Sequence, residues 1–306
     1  MRNFMRPVLL TALVGAAFSV QAQYSQYGSG FNNYSGGSCA SGDGSRQSSS
    51  LQVVGLTEDQ RLICFNERSP GEAGNIGLVN GLMSGDKLVG IDFRVQDKKL
   101  YGVSRTGGVY VLNTSNATAT WVGQLTVPLE GLSFGVDFNP VADRLRIVSD
   151  TGQNLRHKLA DDTSPSATTK DDPLDYPAPM NTVGSNAIGV TGSAYTNNDL
   201  DPSTATTLYA LDTSFDQTAL QSPPNDGTLA ATGKLGVDAN SSVGFDIYST
   251  VRNGVTVEVQ ALASLQTSAG GSSLYSIKLP TGKATIRGNF ANQNKVIGIA
   301  IPLNQL

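Results

Sequence analysis

The chain has 306 residues and a formal net charge of −4 at pH 7, from 21 Lys and Arg against 25 Asp and Glu. Binding to a phosphate backbone relies on clustered Lys and Arg, and the chain has neither basic runs nor a basic balance, so we expect no nucleic-acid partner. Charged residues make up only 15% of the chain, which also has 34 glycines, against about 25% charged residues in ordinary globular proteins. This composition is typical of an all-β protein with many tight turns.

Residues 1–22 have the features of a secretory signal peptide. Arg2 and Arg6 precede an apolar run at residues 8–20, and Ala22 supplies a small residue before the expected cleavage point. The run is too short for a membrane-spanning helix, which needs about 20 residues. We therefore expect an exported protein without a transmembrane segment, located in the periplasm, the outer envelope or the medium.

Residues 23–50 are rich in Gly, Ser, Tyr and Asn and show neither strand nor helix periodicity. Such composition is typical of a flexible tail. Two roles are compatible with it: a spacer, or a tether to a partner at the cell surface.

The two cysteines of the chain are Cys39, in this tail, and Cys64, in a predicted strand. In an oxidising compartment they could form a disulfide bond, which would stabilise the protein by roughly 3 kcal/mol in the chain-entropy model. The alternative is that Cys64 is a buried thiol that packs as a small hydrophobe.

Residues 51–306 contain one repeated pattern: an apolar strand built around Gly-x-Asp-Phe, a polar turn, and a strand that often contains Leu-Tyr. The glycines of the repeat lie at positions 90, 135, 192, 244 and 298, at intervals of 45, 57, 52 and 54 residues. Periods of about 40 to 50 residues made of short strands indicate propeller blades. The sequence thus predicts a β-propeller, with five four-stranded blades, or six if residues 161–186 contain a further hairpin.

The two ends of this region complement each other. Residues 296–301 supply an inner strand with nothing after it, and residues 51–56, 60–66 and 73–79 supply three outer strands with nothing before them. We expect the ends to pair in one mixed blade, because this closure would cover the edge strands of the first and last segments.

Residues 135–156, Gly-Val-Asp-Phe-Asn-Pro-Val-Ala-Asp-Arg-Leu-Arg-Ile-Val-Ser-Asp-Thr-Gly-Gln-Asn-Leu-Arg, strongly resemble the bacterial exported proteins of the family named domain of unknown function 4394. The resemblance continues in family order through nearly all of residues 52–301. It implies a secreted or envelope-associated, propeller-like domain, and it implies no reaction.

Three aspartates, Asp92, Asp137 and Asp246, occupy the same place in three predicted inner strands, where the other two strands have Ala194 and Ala300. Since inner strands surround the central channel, the carboxylates could converge there. They could bind Ca²⁺, which prefers oxygen ligands, or act as acid and base in glycoside hydrolysis. Alternatively, each aspartate could cap the turn that follows its strand.

A second candidate site is an anion or sugar site near the start of the second blade. Arg144 and Arg146 alternate with apolar residues and so project from one strand face, and guanidinium groups bind anions through paired hydrogen bonds. A salt-bridge network between blades, with Asp143 and Asp150 as the carboxylates, is the alternative. The candidate ligand-binding residues are Arg144, Arg146, Asp150, Asn154 and Arg156, together with Tyr195, Asn197 and Asn198 of a later polar loop, which could instead form a plain Asx-rich turn.

His157 is the only histidine, which excludes imidazole metal clusters, and its charged neighbours in sequence predict a surface position. No phosphate-binding loop or dinucleotide-binding glycine motif occurs. We therefore expect a non-catalytic binding or scaffold module whose partner is an envelope protein or a glycan, with no cofactor other than a candidate calcium ion. A glycan hydrolase that uses the three aspartates is the alternative, and the oligomeric state is left open.

Overall fold

The computed structural model describes residues 50–178, 185–197, 199–201, 203–268, 270–291 and 294–305. The predicted signal peptide, and the predicted tail up to residue 49, lie outside this part of the chain. Within it, no helix is both long and apolar enough to cross a lipid bilayer.

The described strands form five four-stranded antiparallel sheets, which are the blades of a propeller. The first strands of the described part of the chain belong to blade 5 and are β1 (Gln52–Thr57), β2 (Arg61–Asn66) and β3 (Ser69–Leu78). From the axis outward, blade 1 consists of β4 (Leu88–Phe93), β5 (Leu100–Ser104), β6 (Gly108–Leu112) and β7 (Ala119–Gln124). Blade 2 consists of β8 (Phe134–Asn139), β9 (Arg144–Ser149), β10 (Asn154–Lys158) and β11 (Ala167–Lys170).

A short two-stranded ladder of β12 (Asp175–Tyr176) and β13 (Ser185–Asn186) follows blade 2. Blade 3 then consists of β14 (Val190–Tyr195), β15 (Leu208–Asp212), β16 (Gln217–Gln221) and β17 (Leu229–Lys234). Blade 4 consists of β18 (Ala239–Arg252), β19 (Val255–Thr267), β20 (Ser272–Ile277) and β21 (Ala284–Asn289). The last strand, β22 (Val296–Ala300), is the inner strand of blade 5.

The predicted closure is confirmed by the pairing of β22 with β1. Val54 lies opposite Ala300 and Gly55 opposite Ile299 in an antiparallel register. The five-blade prediction is also confirmed, because residues 161–186 supply the outer strand of blade 2 and the two-residue ladder rather than a sixth blade.

The repeated glycines allow the inner strands to pack closely around the axis. A Cβ atom at Gly90 would fall 2.4 Å from a methyl carbon of Val136 on the next inner strand, and one at Gly135 would fall 2.6 Å from the amide nitrogen of Ser193. Real Cβ atoms do not approach other atoms so closely. The repeat therefore marks where neighbouring blades converge.

The core is divided into five apolar clusters, one at each contact between neighbouring blades. Between blades 1 and 2, for example, Val103 and Val109 pack with Leu145 and Ile147. The cluster between blades 2 and 3 is built from smaller side chains, because three of its seven buried members are alanines. A buried polar network, described below, lies at this same contact.

Candidate functional site

The three aspartates predicted to face the channel do converge. Asp92 and Asp137 lie in the second halves of β4 and β8, Asp246 lies in the middle of the longer β18, and each offers a carboxylate oxygen within 4.8 Å of those of the other two. All three are buried, with at most 6% of each residue exposed. They line a cavity of about 10 Å³ at the end of the ring axis where the inner strands finish. We call these residues the aspartate cluster.

Each member of the aspartate cluster accepts a hydrogen bond from a backbone amide of the next blade. The amide of Phe138 donates to Asp92 Oδ2 over 2.7 Å, that of Tyr195 to Asp137 Oδ1 over 3.1 Å, and that of Ile301 to Asp246 Oδ2 over 2.6 Å. The carboxylates thus join one inner strand to the next. The sequence also allowed each aspartate to cap the turn that follows its own strand, whereas these three hydrogen bonds come from a different blade.

Burial raises the pKa of all three carboxyl groups. Desolvation is the largest cause for Asp92 and Asp137, whose pKa values lie well above the usual range, and the charge of the neighbouring aspartates raises them further. The pKa of Asp246 is raised to about 6, again mainly by desolvation, while two backbone amides oppose the rise. The cluster therefore resists carrying three negative charges at once.

The predicted arginine site is divided by the structure. Arg146 is buried and contacts Asn154 Oδ1 and Asp171 Oδ2, each over 2.7 Å, and Asn225 Oδ1 over 2.9 Å. Arg156 also pairs with Asp171. These groups form a network between blades 2 and 3, as the salt-bridge alternative proposes, but its central carboxylate is Asp171. The expected carboxylates lie elsewhere, since Asp143 pairs with Arg94.

Two other candidates lie outside this network. Arg144 donates to the backbone carbonyls of Ala142 and Asp143 in its own turn. Asp150 accepts from the amide of Leu132, near the start of blade 2. The residues predicted for one anion site thus occupy three separate places.

The polar loop after β14 forms consecutive Asx turns. Asn197 Oδ1 accepts from the amide of Asp199, and Asp199 Oδ1 accepts from the amide of Asp201, each over 2.9 Å. Tyr195 is directed instead toward the arginine network, with its hydroxyl oxygen 3.4 Å from Arg146 Nε. Asn198 lies outside the described residues, and the role of this loop in ligand binding stays a prediction.

The prediction of a surface position for His157 is wrong. This residue lies on β10, the third strand of its blade, and is fully buried, with its Nδ1 3.0 Å from Thr168 Oγ1. Burial lowers its pKa to about 4. The strand Ala167–Lys170 that covers it was missed because its sequence is short and polar.

Cys64 lies on β2 and is disulfide-bonded. Its predicted partner, Cys39, lies outside the described residues, so the pairing itself stays a prediction.

The family model described as "Domain of unknown function (DUF4394)" matches residues 61–300, which is most of the chain. The chain belongs to this family. The sequence resemblance is thereby confirmed, and the match covers both the aspartate cluster and the arginine network. No curated protein matches the chain.

Several solved structures are similar to this DUF4394 chain. An auxiliary nutrient binding protein from Bacteroides ovatus is 11% identical with a TM-score of 0.38, covering 73% of this chain and 55% of its own. A protein of unknown function from Bacteroides thetaiotaomicron is 10% identical with a TM-score of 0.42, covering 82% and 56%. The Dos1 propeller is 13% identical with a TM-score of 0.36, covering 82% and 63%. This chain therefore spans little more than half the length of the first two.

The aspartate cluster of this DUF4394 domain suits a small cation or shared protons better than a substrate. Oxygen atoms bound to one Ca²⁺ lie about 2.3 to 2.6 Å from it, so three oxygens within 4.8 Å of one another could contact a single ion. Calcium takes six to eight oxygen ligands, and the three carboxylates supply only part of such a set. Without an ion, bound protons would relieve the repulsion between the same carboxylates.

Proposed function

We propose that this protein is an exported, non-catalytic binding or scaffold module of the cell envelope or the medium, with an envelope protein or a glycan as its partner. The observation that supports this proposal is the closed environment of the aspartate cluster. Glycoside hydrolysis requires two carboxylates on either side of a scissile bond, whereas the cavity lined by these aspartates has about 10 Å³, which is the space of about one water molecule.

The bonding of the cluster supports a structural role for the same residues. Because each carboxylate accepts an amide from the next inner strand, the cluster holds together blades 1 and 2, blades 2 and 3, and blades 4 and 5. A bound calcium ion would serve the same purpose by neutralising the carboxylates. Neither case requires access for a substrate.

The test compares the full-length protein with a double variant, Asp92→Asn with Asp137→Asn, which keeps the amide-accepting oxygens. We expect no hydrolysis of a panel of chromogenic glycosides by either protein, and equal binding of both to a glycan array and to immobilised envelope proteins. Hydrolysis by the wild type that the double variant loses would overturn the proposal in favour of the hydrolase. Circular dichroism of both proteins ensures that a loss of activity does not reflect unfolding.

A further inference from the structure

A second cavity opens at the opposite end of the ring axis, where the inner strands begin. It has a volume of about 270 Å³ and is lined by Val89, Phe134, Val243 and Ile297, which come from four of the five inner strands. This volume is close to the lower end of the range for small-ligand cavities, about 300 to 1,000 Å³. We call this cavity the axial pocket.

The axial pocket is separated from the aspartate cluster by the narrow centre of the ring. The space enclosed by the repeated glycines and their neighbours on the inner strands has only about 10 Å³. A molecule in the axial pocket therefore cannot reach the buried carboxylates, and the chemistry of the pocket depends on its own lining.

The lining of the axial pocket combines apolar walls with hydroxyl groups. Leu88 and Phe134 are buried there, whereas Leu132 at the rim is 83% exposed. The side chains of Ser133 and Ser241 add hydroxyl groups. A few polar groups on apolar walls are typical of small-molecule sites.

Two cations of the axial pocket, Lys87 and Arg105, have no ion-pair partner among the described residues. Among the described residues that line the pocket, Glu58 is the only one with a carboxylate. Its Oε2 atom lies 3.3 Å from Nζ of Lys295, so it pairs with a lysine other than Lys87. The guanidinium carbon of Arg105 lies 5.3 Å from the centre of the Phe134 ring, within the distance of a favourable cation–π contact. This contact holds a positive charge against an apolar wall of the pocket.

We propose that the axial pocket binds a small organic anion with an apolar body. A carboxylate accepts hydrogen bonds from Arg105 and Lys87, and its hydrocarbon part packs against Val89, Val243 and Ile297. Charge-assisted hydrogen bonds favour the anion, and burial of the hydrocarbon supplies the remaining affinity. This inference rests on the proposed binding function, because it names a ligand class for one face of the propeller.

The test measures binding of octanoate, octanol and octylamine to the full-length protein by isothermal titration calorimetry. These probes share the same hydrocarbon and differ in charge. We expect octanoate to bind at one site, at least about tenfold more tightly than octylamine, since a charge-assisted hydrogen bond contributes about 1.5 to 3 kcal/mol and 1.4 kcal/mol corresponds to a factor of ten. Equal affinities for octanoate and octylamine would overturn the proposal.

Three variants locate the binding. Arg105→Gln is expected to weaken octanoate binding about tenfold, and Ser241→Trp, at an exposed position of the pocket rim, to abolish it by filling the cavity. Arg252→Gln removes a similarly exposed arginine at the far end of β18 and is expected to leave affinity unchanged. Octanoate binding that persists in both pocket variants would refute the pocket, because it would then occur elsewhere.

The proposed function and the pocket can fail separately. Glycoside hydrolysis would contradict the proposed function whatever octanoate does. Retained glycan or envelope-protein binding, with no charge selectivity among the three probes, would refute only the axial pocket.

Discussion

Replacing one carboxylate of the aspartate cluster by an amide is expected to stabilise the protein at high pH. In Asp137→Asn the side-chain oxygen can still accept the amide hydrogen bond that Asp137 receives from Tyr195, while one charge is removed. Two unit charges 4.8 Å apart repel by about 3 kcal/mol at an effective dielectric constant of about 20. We therefore expect the variant to gain on the order of 3 kcal/mol of unfolding free energy at pH 9 in a chelating buffer.

The pH dependence follows from the direction of the pKa shifts. A carboxyl whose pKa is higher in the folded than in the unfolded protein destabilises the fold as it ionises. The contribution of the cluster is thus fully present below about pH 4, the ordinary pKa of an aspartate, and is lost as pH rises through the raised values, about 6 for Asp246. The gain of Asp137→Asn over the wild type should accordingly become small at pH 4.

Urea unfolding at a series of pH values, followed by circular dichroism, measures this difference. Asp238→Asn, at an exposed position, is the matched control and should follow the wild type. The reasoning would be refuted if the unfolding free energies of wild type and Asp137→Asn changed in parallel with pH, or if the variant were less stable than wild type at pH 9. Either result would show that desolvation and charge repulsion do not control the stability of the cluster. Added calcium should raise the stability of the wild type more than that of Asp137→Asn if an ion completes the cluster; equal responses would argue for shared protons alone.

Three further changes test the packing between blades. Arg146→Ala should reduce the unfolding free energy by at least about 1.5 to 3 kcal/mol, because it removes the donor to Asn154 and Asn225 and leaves Asp171 with Arg156 as its remaining arginine partner. Arg144→Ala should cost less than about 1 kcal/mol, and urea denaturation measures both. In Gly135→Ala the new Cβ would fall 2.6 Å from a backbone nitrogen of the next inner strand, so the unfolding free energy should fall by about 1 to 3 kcal/mol or more. Gly123→Ala is the control, because open space surrounds its Cβ and its stability should be nearly unchanged. Equal melting temperatures of the two variants would contradict this expectation. In an NMR titration the imidazole of His157 should show a pKa of about 4. Because the same imidazole has a pKa of about 6.5 in the unfolded chain, the unfolded chain takes up a proton first, and the unfolding free energy should decrease as pH falls below about 6.5. A midpoint near 6.5 in the folded protein would show that the ring is solvated.

The ring was predictable because the feature that builds it recurs in sequence. Four of the five repeated glycines, all but Gly298, mark a close approach between inner strands, and the apolar residues around each glycine mark the strand. The convergence of Asp92, Asp137 and Asp246 followed from the same register, because equal offsets from the glycine place side chains at equal heights along the axis.

The elements that could not be predicted depend on contacts between distant parts of the chain. The strands Ala167–Lys170 and Gln217–Gln221 are short and largely polar, so their apolar pattern is weak, and pairing with a neighbouring strand defines them. Asp171, the partner of Arg146, lies 25 residues away in sequence, within residues 161–186, whose structure the repeat did not predict. The axial pocket was missed because strand beginnings from four blades form it.

The pairing of β22 with β1 has a consequence for the order in which the molecule can be completed. The inner strand of blade 5 follows the other three strands of that blade only after blades 1 to 4, so those three strands are synthesised well before the strand that completes their blade. Deleting residues 296–306 would therefore remove a strand that lines the axis, together with the amide of Ile301 that donates to Asp246, rather than a strand at the outer edge of a blade.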